Sequence, residues 1–185
     1  MEGWRVRRLG RHLSVISRTL CVVIPVPEPW GSEIDRARRA LQPGRRPLRA
    51  HITLIPPTDV PVDRVPEVLA HVSAVARAGH GFQVELRGTG TFRPRSPVVF
   101  IDVVGGHGDV VALRGELAVG RFAPKEGGWP FQPHVTLAAR CADKTLDDAA
   151  RRFEDFSALF DVRSVSTFEK VNRGWSERDR VSIGS

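Results

Sequence analysis

The chain has 185 residues, of which 41% are hydrophobic and 26% charged, a composition typical of a globular domain with a sizeable core. No apolar run approaches the roughly 18 residues that suggest a membrane-spanning helix, so we expect no membrane partner. The formal net charge of +7 favours anionic partners, and only three of the 28 basic residues are lysines. Arginine is well suited to bidentate recognition of phosphate.

The first nineteen residues form a basic segment. Arg18 interrupts the only apolar stretch that could serve as a signal peptide, and no small-residue cleavage site follows it. We therefore interpret residues 1–19 as a flexible basic extension and residues 20–185 as one domain without an internal linker. Cys21 and Cys141 are too few for a disulfide framework, which predicts a reducing, cytoplasmic location.

The first half of the chain alternates strands and helices. A β-branched run predicts a strand over 20–25, and helical spacing predicts a helix over 32–41 that Ser32 caps. A strand over 51–54 is expected to stop at Pro56 and Pro57. A helix over 65–78 and an alternating strand over 82–86 follow.

The second half predicts a similar series. Its elements are a strand over 98–104, a helix to residue 117 that Asp109 caps, a glycine-rich loop over 124–129, a strand over 134–138, a helix over 146–156, and strands over 160–168 and 181–183. Gly115 interrupts the predicted third helix. The whole series predicts an α+β domain built from two similar halves.

One motif occurs once in each half. His51-Ile52-Thr53-Leu54 and His134-Val135-Thr136-Leu137 lie 134 − 51 = 83 residues apart. Because side chains alternate across a strand, each motif presents an imidazole and a hydroxyl on one face and two apolar side chains on the other. If the two halves are related by pseudo-two-fold symmetry, both polar faces line one cleft.

Two facing imidazoles suit the cleavage of a phosphodiester. One imidazole removes a proton from the attacking oxygen and the other protonates the leaving oxygen, because imidazole titrates near pH 6.5. The hydroxyls of Thr53 and Thr136 can donate hydrogen bonds to the phosphate oxygens. The pattern therefore predicts His51 and His134 as catalytic residues, and the threonines as phosphate ligands.

A metal site is the less favoured interpretation of the two histidines. They have no close third ligand, and their spacing fits neither a zinc-protease helix nor a cysteine cluster. We therefore expect no metal and no other cofactor. The Gly105-Gly106-His107-Gly108 segment lacks the lysine of a phosphate-binding loop and is interpreted as a turn.

At these motifs the chain resembles the two-histidine phosphoesterase superfamily, and especially the bacterial 2'-5' RNA ligase family. The similarity runs from about residue 20 to residue 184 and is most specific over 131–138 (FQPHVTLA), with further matches at LCVVIP and GTGTFRP. The resemblance implies two pseudo-symmetric lobes of mainly antiparallel sheet, with helices outside and a central cleft. It also implies acid/base roles for His51 and His134, phosphate binding by Thr53 and Thr136, and action on 2',3'-cyclic phosphates or in reversible 2'-5' ligation.

The arginines differ from the family pattern. The family often has an arginine five residues after the second histidine, where this chain has Ala139 and then Arg140. Arg49, Arg93 and Arg140 are candidate substrate-binding residues, and Arg93 is favoured because it lies in a family-like segment. Trp175 and Phe168 are candidates to stack on a base.

Three functions remain open from the sequence. The first is a monomeric, metal-independent phosphodiesterase on the 2',3'-cyclic phosphate ends of RNA. The second is the same chemistry on a small cyclic nucleotide. The third is a non-catalytic RNA-binding module, which the two intact motifs argue against.

Overall fold

The computed structural model describes residues 16–123 and 130–184, and an α+β architecture is observed. The predicted loop over 124–129 and most of the predicted N-terminal extension lie outside the described residues. The elements are β1 (Ser17–Pro25), α1 (Trp30–Leu41), β2 (His51–Pro61), α2 (Val65–Ala78), β3 (Phe82–Thr91), β4 (Val98–Gly105), α3 (His107–Leu117), β5 (His134–Ala139), α4 (Asp143–Arg152), β6 (Ser157–Val162), β7 (Ser164–Val171) and β8 (Gly174–Ser182).

The strands form two four-stranded antiparallel sheets. The first has the order β2-β1-β7-β8 and the second the order β5-β4-β3-β6. The halves of the chain exchange strands, because β3 from the first half pairs with β4 and β7 from the second half pairs with β1. The pseudo-symmetric arrangement is therefore interlocked, and each motif strand, β2 or β5, lies at an edge of its sheet.

Two of the four helices are exchanged in the same way. Helix α1 follows β1 of the first sheet but contacts β5 of the second, and α3 follows β4 but contacts β2. Helix α2 contacts β7 and β8, and helix α4 contacts β4 and β5. Residues of both sheets and all four helices share one buried apolar cluster, so a single continuous core holds the two motif strands in place. None of the described helices is both long and apolar enough to span a membrane.

Strand β2 does not stop at its prolines. It continues through Pro56 and Pro57 to Pro61, and Ile55 and Thr58 face Val22 and Leu20. The chain therefore advances three residues along β2 where it advances two along β1, and this extra residue places the prolines in a β-bulge. The predicted stop at residue 54 was wrong because an edge strand tolerates prolines where no ladder hydrogen bond is needed.

Other boundaries differ for local reasons. Helix α1 begins before Ser32, whose backbone N–H is instead bound by the Glu28 carboxylate at 3.0 Å. Helix α3 begins at His107, ahead of the predicted Asp109 cap. The predicted strand over 160–168 is two strands, because the chain crosses between the sheets at Arg163 without a glycine or proline to mark the turn. The helix over 65–78 is confirmed.

The turn before α3 depends on a glycine. Gly106 has φ +71°, and a Cβ there would collide with the backbone oxygen of Gln83. Gly106→Ala is therefore expected to lower the free energy of unfolding by at least about 2 kcal/mol. Gly115→Ala is the matched control, since nothing lies within 4 Å of its Cβ position. Alanine stabilises an exposed helix by about 1 kcal/mol relative to glycine, so this variant should not lose stability. Urea denaturation measures both changes, and equal effects would contradict the steric account.

Candidate active site

The two motif strands contact each other at the adjoining edges of the sheets. In β2, Thr53 faces Val23 while Ile55 faces Val22, so Leu54 is an extra residue on its strand. In β5, Thr136 faces Phe100 while Ala138 faces Val99, so Leu137 is extra in the same way. Both motifs thus carry a β-bulge at the leucine, which directs the two residues after each threonine into the core. We call the space that the two histidines and two threonines face the cleft.

The His51 ring is held by the segment just before its strand. Its Nδ1 lies 2.5 Å from the carbonyl oxygen of Arg49, and donation of the Nδ1 proton to that oxygen leaves Nε2 free to titrate. Burial lowers the pKa of His51 to about 4, the hydrogen bond opposes this, and the charges of Arg38 and His134 lower the pKa further. The two imidazoles are therefore close enough to interact electrostatically.

The His134 ring has the same backbone contact. Its Nδ1 lies 2.7 Å from the carbonyl oxygen of Gln132, two residues earlier in the chain. Burial lowers the pKa of His134, while the Gln132 hydrogen bond and the Asp102 charge act in the opposite direction. With Nδ1 bound to a carbonyl in each case, Nε2 of each imidazole is left available to exchange a proton.

A cavity adjoins each histidine. The one beside His51 has a volume of about 480 Å³ and contains Val23, Leu48 and Phe168 in its wall. The one beside His134 has a volume of about 960 Å³ and is lined by Phe92, Phe131 and other residues. Cavities of this size hold small organic ligands, so both sides of the histidine pair offer room for a nucleoside.

The hydroxyls of the two motif threonines are available to a ligand. Thr53 and Thr136 are both partly exposed, and neither hydroxyl has a hydrogen-bond partner among the other described residues. A hydroxyl on the cleft side of each histidine can therefore donate to an oxygen of a bound anion. Within residues 16–123 and 130–184, no group of three or more His, Cys, Asp or Glu side chains is arranged to hold a metal ion.

A model of the 2'-5' RNA ligase superfamily matches residues 25–173, which is most of the chain. The chain belongs to the 2'-5' RNA ligase superfamily. It is 31% identical over 130 residues to the RNA 2',3'-cyclic phosphodiesterase of Thermus thermophilus, a match that covers 63% of this chain and 66% of that relative. The family assignment agrees with the motifs and with the architecture that they predicted.

Two solved structures have a similar fold. The crystal structure of TT0787 of Thermus thermophilus aligns with a TM-score of 0.67 and 25% identity, covering 90% of this chain and 98% of that one. The crystal structure of E. coli LigT complexed with NADP+ aligns with a TM-score of 0.65 and 19% identity, covering 92% of this chain and all of that one (100%). At 19% identity, the match to LigT shows a similar fold and no more.

Within this 2'-5' RNA ligase fold, two candidate arginines are already paired with carboxylates. Arg93 lies 2.8 Å from Asp147 and 3.5 Å from Asp143. Arg49 lies 2.6 Å from Glu28 and has a second, longer contact with Asp35. The carboxylates offset part of the charge that either arginine offers a phosphate.

Arg140 lies beyond the end of β5. The bulge at Leu137 puts Ala139 opposite Val98, on the same face as Thr136, and the chain then turns at Arg140 with φ 53°. The place where the family often has its arginine is therefore filled by a methyl group. Arg45 donates a hydrogen bond to the carbonyl oxygen of Ala139 at 3.1 Å, so another guanidinium lies beside that strand end.

Sequence reasoning missed several residues of the site. The carbonyls of Arg49 and Gln132 hold the imidazoles, and a backbone group carries no sequence signal. Phe92 and Phe100 contact His134, with ring centroids 5.0 Å from it in each case. Phe100 lies in the predicted strand β4, and the motif strand β5 must pair with a neighbouring strand. A pairing of β5 with β4 would have suggested Phe100 as a residue near His134.

Proposed function

We propose that the chain hydrolyses the 2',3'-cyclic phosphate ends of RNA through acid/base catalysis by His51 and His134, without a metal. The observation that carries this proposal is the repeated geometry of the two motifs. Both imidazoles are held at Nδ1 by the carbonyl two residues earlier, and both threonine hydroxyls lack a described protein partner. The superfamily assignment and the cyclic phosphodiesterase relative support the same chemistry.

The proposed reaction needs two proton transfers. Water attacks the phosphorus while one Nε2 takes its proton, and the bond from phosphorus to the 2' or 3' oxygen breaks while the other Nε2 protonates that oxygen. The product is a ribose phosphomonoester. With a 5'-hydroxyl of a second RNA as the nucleophile instead of water, the same groups give 2'-5' ligation.

The two threonines are proposed to bind the phosphate. As the water oxygen bonds to phosphorus, negative charge grows on the non-bridging oxygens, and Thr53 and Thr136 donate hydrogen bonds to them. The cyclic ester is strained, so positioning and these hydrogen bonds suffice without a Lewis acid. In hydrolysis, the one nucleoside that carries the cyclic phosphate would occupy one of the cavities beside His51 and His134, and in ligation the nucleoside with the attacking 5'-hydroxyl would occupy the other.

A small cyclic nucleotide is the second candidate substrate. It is favoured by the ion pairs of Arg49 and Arg93, which offset positive charge that a longer RNA would use near the cleft. An RNA that contacts several free arginines should bind more weakly as salt rises, through release of counterions. Fluorescence titration of a short RNA and of a cyclic mononucleotide from about 50 to 200 mM salt distinguishes the two.

The proposed function is tested by turnover with a chelator present. The pure protein in EDTA is incubated with an RNA oligomer that ends in a 2',3'-cyclic phosphate, and the product is resolved by gel and mass. We expect complete conversion to a phosphomonoester and no change in the same RNA ending in a linear 3'-phosphate. Activity that disappears in EDTA and returns with a divalent cation would contradict the proposal, and binding without turnover would indicate an RNA-binding module.

A further inference from the structure

The two motifs share their local geometry but differ in the residue opposite each histidine. In the antiparallel pairing of β4 with β5, Asp102 faces His134. In the pairing of β1 with β2, Pro25 faces His51. Cross-strand partners lie on the same face of a sheet, so a carboxylate accompanies one imidazole and a saturated ring accompanies the other.

The Asp102 carboxylate is linked to His134 through Gln132. Its Oδ1 accepts a hydrogen bond from the backbone of Val103 at 3.0 Å and one from Nε2 of Gln132 at 3.4 Å. The carbonyl of Gln132 in turn accepts the Nδ1 proton of His134. The carboxylate thus helps to fix the segment that orients the imidazole, and its negative charge stabilises the protonated ring.

Two aromatic rings pack against the imidazole of His134. Phe92 meets the imidazole edge-on with an interplanar angle of 85°, and Phe100 lies tilted at 51°. Phe100 can adopt this position because Gly90, its cross-strand neighbour, has no side chain: a Cβ there would lie 2.6 Å from the ring. Among the described residues, His51 has no such aromatic contact.

The charged groups around each histidine complete this contrast. On the His134 side they are the imidazole of His51, Asp102 from β4 and, in the same cavity wall, Arg93 and Arg95. On the His51 side they are Arg38 and Asp35 from α1, Glu28, Arg49, the imidazole of His134, and Asp161, Arg163, Glu177 and Arg180 across the cavity. Arg38 and His134 both disfavour a proton on His51.

We propose that Asp102 is a positioning residue that makes His134 the general acid and leaves His51 as the general base when the cyclic phosphate is hydrolysed. This inference rests on the proposed function. Nε2 of His51 takes a proton from water as the new phosphorus–oxygen bond forms, and Nε2 of His134 gives its proton to the ribose oxygen as the ring bond breaks. Exchange with solvent then restores the neutral His51 and the protonated His134.

The assignment predicts which limb of the pH–rate profile each group controls. Activity falls at low pH as His51 becomes protonated, near its pKa of about 4, and falls at higher pH as His134 loses its proton, at a pKa below the ordinary 6.5. The optimum for kcat/KM is therefore expected on the acid side of neutrality. Asp102 should influence only the limb at higher pH.

The test is Asp102→Asn, an isosteric change whose amide oxygen can still accept the Val103 hydrogen bond. We expect the limb at higher pH to move down by about half to one unit, less than for a carboxylate that touches the ring, and the limb at low pH to stay in place. Asp148→Asn is the control, because it removes the same charge from an α4 residue that pairs with Lys144 and Arg151. Movement of the low-pH limb, of both limbs equally, or of neither would overturn the assignment.

A second measurement does not depend on turnover. NMR titration of the ring carbons, with signals assigned by their loss in His51→Ala and His134→Ala, gives the pKa of each imidazole directly. In Asp102→Asn the pKa of His134 should fall while that of His51 is unchanged, and an unchanged His134 overturns the role of Asp102. If the wild type shows this titration but does not hydrolyse cyclic phosphates, the proposed function fails while the electrostatic assignment holds.

Discussion

His51→Ala and His134→Ala are each expected to lower kcat for hydrolysis of a 2',3'-cyclic phosphate RNA by about 10²–10⁴-fold. Each substitution removes one of the two proton transfers, and water in the vacated space is a poorer acid and a poorer base. The fold should survive both changes, because the two rings are partly exposed at the edges of their sheets and the core lies on the other face. Steady-state rates at saturating substrate measure the effect.

His80→Ala is the control for these variants. His80 is exposed between α2 and β3 and lines neither of the cavities beside His51 and His134, so His80→Ala should retain full activity. Thr53→Ala and Thr136→Ala should lose less than the histidine variants, because each removes a hydrogen bond to phosphate rather than a proton transfer. Full activity in either single histidine variant would refute the acid/base pair.

The second large expected effect is a loss of stability in acid that originates at His51. The native ring resists protonation, with a pKa of about 4, while the ring in the unfolded chain takes up a proton near pH 6.5. The contribution is therefore fully present above pH 6.5 and is lost as the pH falls toward 4. The loss is at most about 3 kcal/mol, because part of the ring still contacts solvent in the cleft.

His51→Gln isolates this contribution, since glutamine does not titrate. Urea denaturation at a series of pH values gives the free energy of unfolding of each protein. The difference between wild type and variant removes the effect of the other titratable groups. The wild type should lose stability more steeply than His51→Gln between pH 6.5 and 4. Parallel curves would mean that the native ring is as easily protonated as the unfolded one.

The elements that the sequence predicted well are those with a strong local period. The helix over 65–78 has a regular apolar face, and both His-x-Thr strands alternate over the residues that face the cleft. The symmetry of the halves also followed from the repeated motif. The exchange of β3 and β7 between the halves did not, because strand pairing between distant segments leaves no trace in the local pattern of either segment.

The cleft was predictable only in part. The repeat predicted His51 and His134 as the catalytic pair, but the bulges at Leu54 and Leu137 depend on the register with neighbouring strands. Contacts between distant segments also determine the partners of the arginines. Arg93 pairs with a carboxylate on a helix more than fifty residues away. Asp102 shows the same limit, because its proximity to His134 depends on the register of β4 with β5.

A double-mutant cycle on one cyclic phosphate substrate tests the central claim most directly. Rates are measured in EDTA for wild type, His51→Ala, His134→Ala and the double variant. If the two imidazoles act as a unit in one reaction, the double variant should be little slower than the slower single variant. Independent, multiplicative losses, or a double variant that keeps the wild-type rate, would contradict catalysis by a paired general acid and base.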